Sequence, residues 1–210
     1  MSIANRLLRP ILPILAMLAL SFLPMSHAAD LAASVRGALV QSPVLRGEFE
    51  QSKQVAGFKK NLLSRGDFLV AREHGVIWRT REPFASLLKL TRDEIVATQG
   101  GEIAFRLSAS KEPSVRIING LMFSLLNGDI QSLAEHFRVD GSASGKTWKL
   151  LLTPRNPALS KMISQVELAG DQYVRNINIA EANGDKTSIH FFAQSTEPAK
   201  LSPEEAARFD

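Results

Sequence analysis

There is no cysteine among the 210 residues, which excludes disulfides, thiolate metal sites and a cysteine nucleophile. It also excludes a lipid-modified amino terminus, because bacterial lipid attachment uses a cysteine at the cleavage point. Histidine is scarce. His27, His74, His136 and His190 are the only four, and no two stand at metal-ligand spacing. His74 falls in a turn, His136 on a helical stretch and His190 on a strand, so each reads as a surface or structural residue. No block of basic residues interleaved with aromatics occurs, so nucleic acid is not an expected partner. No glycine-rich phosphate cradle precedes a helix. Gly141-Ser142-Ala143-Ser144-Gly145 has Ala143 where a nucleophile elbow needs serine, and it links two strands, so it reads as a flexible loop. Glu94 and Glu102 lie near strand starts, where solvated faces explain them better than acid–base pairing. No enzyme, cofactor or metal is expected.

The amino terminus has its own pattern. Arg6 and Arg9 form a basic start, and residues 11–23 are apolar except for Pro13 and Ser21. The run is shorter than the roughly 20 residues a membrane-spanning helix needs. Pro24 follows, and Ser26-His27-Ala28 supplies small residues at both positions that a signal peptidase reads. Residues 1–28 are therefore expected to be a signal peptide cleaved after Ala28. Loss of Arg6 and Arg9 lowers the formal charge from +4 to +2. Residues 29–210 have the size of a single domain, able to bury roughly 70% of its unfolded surface. A secreted, thiol-free, unanchored chain suits the Gram-negative periplasm. A soluble monomer is expected.

What the sequence does have is alternation. Phe68 and Val70 alternate with Asp67 and Leu69, and Val76 and Trp78 with Ile77 and Arg79. Leu88 and Leu90 alternate with Lys89 and Thr91. Ile103, Phe105 and Leu107 alternate with Glu102, Ala104 and Arg106. A period of two places one apolar face and one wet face on a sheet. Strands are expected at 45–54, with Phe49 inward, and at 60–72, 76–81, 86–92, 94–99 and 102–107. Five more follow at 137–140, 147–153, 163–168, 173–180 and 186–193, separated by Gly- and Asn-containing turns. Asp30 reads as the cap of a helix carrying Leu31, Val35 and Leu39 and ending near Gln41-Ser42-Pro43. Residues 114–137 have helical spacing, broken at Asn127-Gly128-Asp129 into two short helices. Residues 202–209 read as a short helix with a Ser202–Glu205 capping box. The expected fold is mainly β (α+β): an open, curved antiparallel half-barrel of about eleven strands.

The apolar face needs a cover, and only a few short helices are available. Periodicity leaves two interiors open. One is a well-filled core. The other is a hydrophobic cavity under a helical lid, lined by Phe49, Phe68, Val70, Val76, Trp78, Leu88, Leu90, Phe105, Leu121, Met122 and Leu125. The segment 117–126, apolar nearly all round, fits either a core helix or a lid. Arg72 shares parity with Phe68 and Val70. If the strand reaches it, its guanidinium faces the apolar side; if not, it is a turn residue in solvent.

Several short motifs carry a resemblance. They are Gly47-Glu48-Phe49-Glu50-Gln51, Gly66-Asp67-Phe68-Leu69-Val70-Ala71-Arg72, then Trp78-Arg79 and Pro83-Phe84. In these the chain resembles the periplasmic lipoprotein carriers of the LolA type, in order and length over nearly all of residues 29–210. The resemblance implies a half-barrel with a helical lid, and acyl-chain cargo handed from an inner-membrane ABC exporter to an outer-membrane lipoprotein acceptor. It also implies that Arg72 is the latch holding the lid. Glu73 stands where the family has proline, and Val76 where it has a bulky aromatic, which marks a divergent paralogue. The expected function is that of a soluble carrier shielding the acyl chains of lipoproteins. The alternatives are a carrier of another lipid (glycolipid, polyene or fatty acyl) and a ligand-free sensory or scaffold domain.

Overall fold

A computed structural model describes residues 27–111, 120, 123–124 and 130–209. Helix α1 (His27–Ala38) leads into β1 (Val44–Gln54) and β2 (Leu62–Ala71). Then come β3 (Gly75–Glu82), β4 (Ser86–Leu90), β5 (Glu94–Gln99) and β6 (Glu102–Ser108). Helix α2 (Ile130–His136) precedes β7 (Phe137–Ser144) and β8 (Thr147–Pro154). The one-turn helix α3 (Pro157–Ser160) precedes β9 (Ile163–Gly170), β10 (Val174–Glu181) and β11 (Lys186–Ser195), and α4 (Pro203–Ala206) closes the chain.

The eleven strands form one open antiparallel sheet in the order β6-β5-β4-β3-β2-β1-β11-β10-β9-β8-β7. Short turns explain the neighbours within each half, since hairpin-linked strands pair. The central seam is different. It joins β1 to β11 through pairs such as Phe49 with Phe191 and Lys53 with Thr187. The two edges, β6 and β7, are consecutive in the chain.

The apolar face is concave. On the β7 side it is covered by α1 and α2: Leu31, Val35 and Leu39 pack with Leu133, Phe137 and Val139. The convex face is tied by cross-strand ion pairs, including Arg79–Asp67 at 2.9 Å, Arg81–Glu48 at 3.0 Å and Arg106–Glu94 at 2.9 Å.

Several sequence expectations shift by a few residues, each for a physical reason. Asp30 lies in the first turn of α1 rather than at its cap. The stretch 141–145 is strand up to Ser144, because Gly141, at φ 153°, lies against the Lys149 carbonyl where a Cβ would be 2.2 Å away. The turn shrinks to Gly145-Lys146. Helix α3 had no apolar period to announce it, but its start signal was present: the Asn156 side chain accepts from the Ala158 amide, with Pro157 first in the helix. At the other end the Ser202–Glu205 capping box forms.

The convex face is not wholly wet. Leu69 and Ile77, read as partners of the polar side, are buried together with Val44 beneath Leu201 and Phe209. The chain after β11 folds back over them as a strap. Arg46 holds that strap in place. Its Nε and Nη2 donate to the two carboxylate oxygens of Glu205 at 2.6 and 2.7 Å, and its Nη1 and Nη2 donate to the carbonyls of Pro198 and Lys200. The guanidinium contact and the Ser202 amide hold the Glu205 carboxyl down at about 2.

Candidate lipid-binding face

The site is built around four aromatic rings on four adjacent strands, β3, β2, β1 and β11. In the β1–β2 register, Gly47 faces Phe68 and Phe49 faces Gly66. Each phenylalanine therefore has the other strand's glycine opposite it, and its ring can lie on bare backbone. A Cβ on Gly47 would come 2.6 Å from the Phe68 ring. A Cβ on Gly66 would come 1.9 Å from the Arg79 carbonyl oxygen and 2.9 Å from Phe49 Cζ. The two Gly-x-Phe triplets thus act as a reciprocal pair across one ladder.

Trp78 on β3 faces Phe68, and its ring stacks on Phe49 with centroids 3.8 Å apart and planes at 28°. Phe191 on β11 meets Phe68 edge-on at 5.2 Å and Trp78 at 6.0 Å. Edge-to-face and offset contacts of this kind add to simple burial. Around them Val70, Val76 and Leu90 are fully buried. Phe191 was missing from the residues picked out in the sequence. Alternation over 186–193 was visible, but Phe191-Phe192 presents an aromatic to either face. Only the pairing with Phe49 decides which one points inward.

Coverage weakens toward β6. Leu88 is half-buried, and Phe105 remains 46% exposed on the edge strand. The structure therefore brings together Phe49, Phe68, Val70, Val76, Trp78 and Leu90, and places Leu88 and Phe105 on the less covered flank. Leu121, Met122 and Leu125 lie outside the described residues. Around the rings this part of the concave face is filled by its own side chains. Along β4 to β6 the apolar side chains are less covered.

Strand β2 ends at Ala71, and Arg72 opens the turn to β3. Its amide donates to the Pro43 carbonyl at 2.9 Å, and its Nη2 donates to Gln41 Oε1 at 2.8 Å. Of the two sequence readings, the turn position holds. The guanidinium ties the β2–β3 turn to the connection that follows α1. The same residue lines a cleft of about 390 Å³ together with Glu73, Arg92, Phe123, Ser124 and His136. It therefore stands between the sheet end and the segment preceding β7. Among the described residues no group of three or more His, Cys, Asp or Glu side chains gathers that could hold a metal.

An open antiparallel sheet, apolar on its concave side and helix-covered on one flank, defines the class: a LolA-like half-barrel. The sequence profile of the family described as "Outer membrane lipoprotein carrier protein LolA-like" matches residues 25–209. The chain belongs to that family. No curated protein matches it. Among solved structures it is similar to a LolA superfamily protein from Nitrosomonas europaea, at 12% identity and a TM-score of 0.46, covering 84% of this chain and 95% of that one. It is also similar to a DUF1329 family protein from Desulfovibrio piger, at 14% identity and a TM-score of 0.49, covering 87% and 95%. A third is a putative outer membrane lipoprotein-sorting protein domain from Vibrio parahaemolyticus, at 10% identity and a TM-score of 0.47, covering 85% and 95%.

Proposed function

We propose that this chain is a non-enzymatic periplasmic carrier that shields acyl chains on its concave face while they move between membranes. Membership of a family described as lipoprotein carriers supports the reading. The observation that carries it is the uneven cover of the concave wall. The face is packed shut at Phe49, Phe68 and Trp78, yet still exposes apolar side chains at Phe105 and the β6 edge. A hydrocarbon tail laid there loses contact with water at roughly 0.8 kcal/mol per methylene, so a chain of about 14 methylenes has on the order of 10 kcal/mol available. No polar contact is required for such affinity. Release then needs a receptor that prefers the emptied form, or a contact whose opening costs a comparable amount. In this reading Arg72 with Gln41, at the end of the sheet, biases the empty form by only about 1 kcal/mol, so the receptor supplies most of the difference. Delivery runs from an inner-membrane exporter to an outer-membrane acceptor, with residues 1–28 removed on export.

Native mass spectrometry of protein taken from the periplasm tests this directly. Acylated protein cargo adds kilodaltons and free lipid only hundreds of daltons. A single apo mass, together with no binding of a fluorescent fatty acid, would refute the carrier reading.

A further inference from the structure

One rim of the half-barrel collects the apolar side chains that the fold leaves uncovered. Eight large hydrophobic residues are exposed among the described residues. Six of them, Phe58, Leu62, Leu63, Phe84, Ile103 and Met162, lie at one rim and are each more than half exposed. This is the rim where β1, β3, β5, β8 and β10 end and β2, β4, β6, β7, β9 and β11 begin. Phe58 is at the β1–β2 tip, with Leu62 and Leu63 just behind it. Phe84 occupies the β3–β4 turn, and Met162 immediately precedes β9. At the opposite rim only Val40 belongs to this set.

The loops of this rim are bound to one another rather than loose. The Ala56 amide donates to Asp185 Oδ1 at 2.9 Å, and the Ala182 amide donates to the Met162 carbonyl at 3.0 Å. Lys53 Nζ meets Glu181 at 2.9 Å and Asp185 at 3.3 Å. The Ala56 amide is the main reason the Asp185 carboxyl is held below its usual range. Glu82 is paired with Arg65 at 3.3 Å. Glu82, Glu181 and Asp185 are thus engaged internally, whereas Glu50, Glu102 and Glu135 make no ion pair among the described residues. Lys59, Lys60, Lys161 and Lys186 stand exposed in the same loops with no ion pair among the described residues.

Apolar side chains standing free between lysines that make no ion pair match the chemistry of a lipid–water interface. Rings and aliphatic groups enter the acyl boundary, lysine stems follow them, and the ammonium groups remain among phosphates. We propose that this rim docks on a bilayer surface carrying anionic phospholipid. The proposal stands apart from the carrier reading. If both hold, the rim would set the open end of the concave wall against the layer from which a tail is drawn.

Co-sedimentation with vesicles tests it, comparing phosphatidylcholine alone with a mixture containing phosphatidylglycerol, at low and high salt. The parent chain should partition onto the mixed vesicles and come off as salt rises. Phe58→Ser combined with Phe84→Ser should lower that partition roughly tenfold. Lys59→Glu combined with Lys60→Glu should lower it by a similar factor and flatten the salt dependence. All four side chains are exposed, so circular dichroism and fatty-acid probe binding should match the parent. That separates this test from failure of the carrier reading. Three results would overturn the proposal: no partition, equal partition onto both vesicle types, or parent-level partition by both double variants, which would move the anchor elsewhere in the chain.

Discussion

Replacing Glu205 by glutamine isolates the contact that fastens the carboxy-terminal strap across the convex face. In the parent, two charge-assisted bonds run from Arg46 to one carboxylate, with the side chains only 20% and 17% exposed. The Glu205 carboxyl is held at about 2 against its ordinary 4.5, first by the Arg46 hydrogen bonds. Protonation linkage makes that displacement worth on the order of 3 kcal/mol at neutral pH. Partial solvent access reduces it to about 2, in line with charge-assisted bonds elsewhere. The sign follows from the direction. A lowered folded-state value means the stabilisation is complete above about 4.5 and drains away as pH falls toward 2. Urea unfolding of parent and Glu205→Gln at pH 7, 5, 4 and 3 should show a gap of about 2 kcal/mol at the first two values, roughly halved at pH 3. The slope with urea should stay equal unless the strap detaches, in which case Leu69 and Ile77 also lose cover. A gap that stays constant with pH, or one below about 0.5 kcal/mol at pH 7, would refute the reasoning.

Three further perturbations address the concave face and its latch. Gly66→Ala places a methyl against backbone at Arg79 and the Phe49 ring, so the thermal midpoint should report a loss of about 2–3 kcal/mol; a near-parent midpoint would mean the reciprocal glycine–phenylalanine arrangement is not needed. Phe105→Ser, at a side chain already 46% exposed, should leave the midpoint almost unchanged while weakening fatty-acid probe binding about five- to tenfold; unchanged affinity would place the ligand away from the β6 flank. Arg72→Leu and Gln41→Ala remove the two ends of one hydrogen bond, and both should retain cargo while slowing transfer to an acceptor membrane in a timed donor–acceptor assay; parent-like transfer in either variant would dissolve the latch.

Much of the fold could be read from alternation. The eleven strands are where period-two stretches end at glycine and asparagine turns, because pleated backbone and a one-sided core permit little else. The misreadings share a cause. The stretch 141–145 looked like a loop because its residues are small, but a glycine and small side chains are what β7 uses to lie close to Lys149. Leu69 and Ile77 broke the wet-face pattern, and alternation alone cannot say that a distant segment will fold back to bury them.

The amino-acid sequence alone determined the strands and their inward parity, because these are local consequences of side-chain direction and turn chemistry. Tertiary structure decided the rest: that β1 closes on β11, that Phe191 rather than Phe192 joins the aromatic cluster, that Arg72 reaches Gln41, and that scattered loops place six apolar side chains on one rim. Each of these is a meeting between residues far apart in the chain. No local propensity specifies such meetings; only the register and curvature of the completed sheet do.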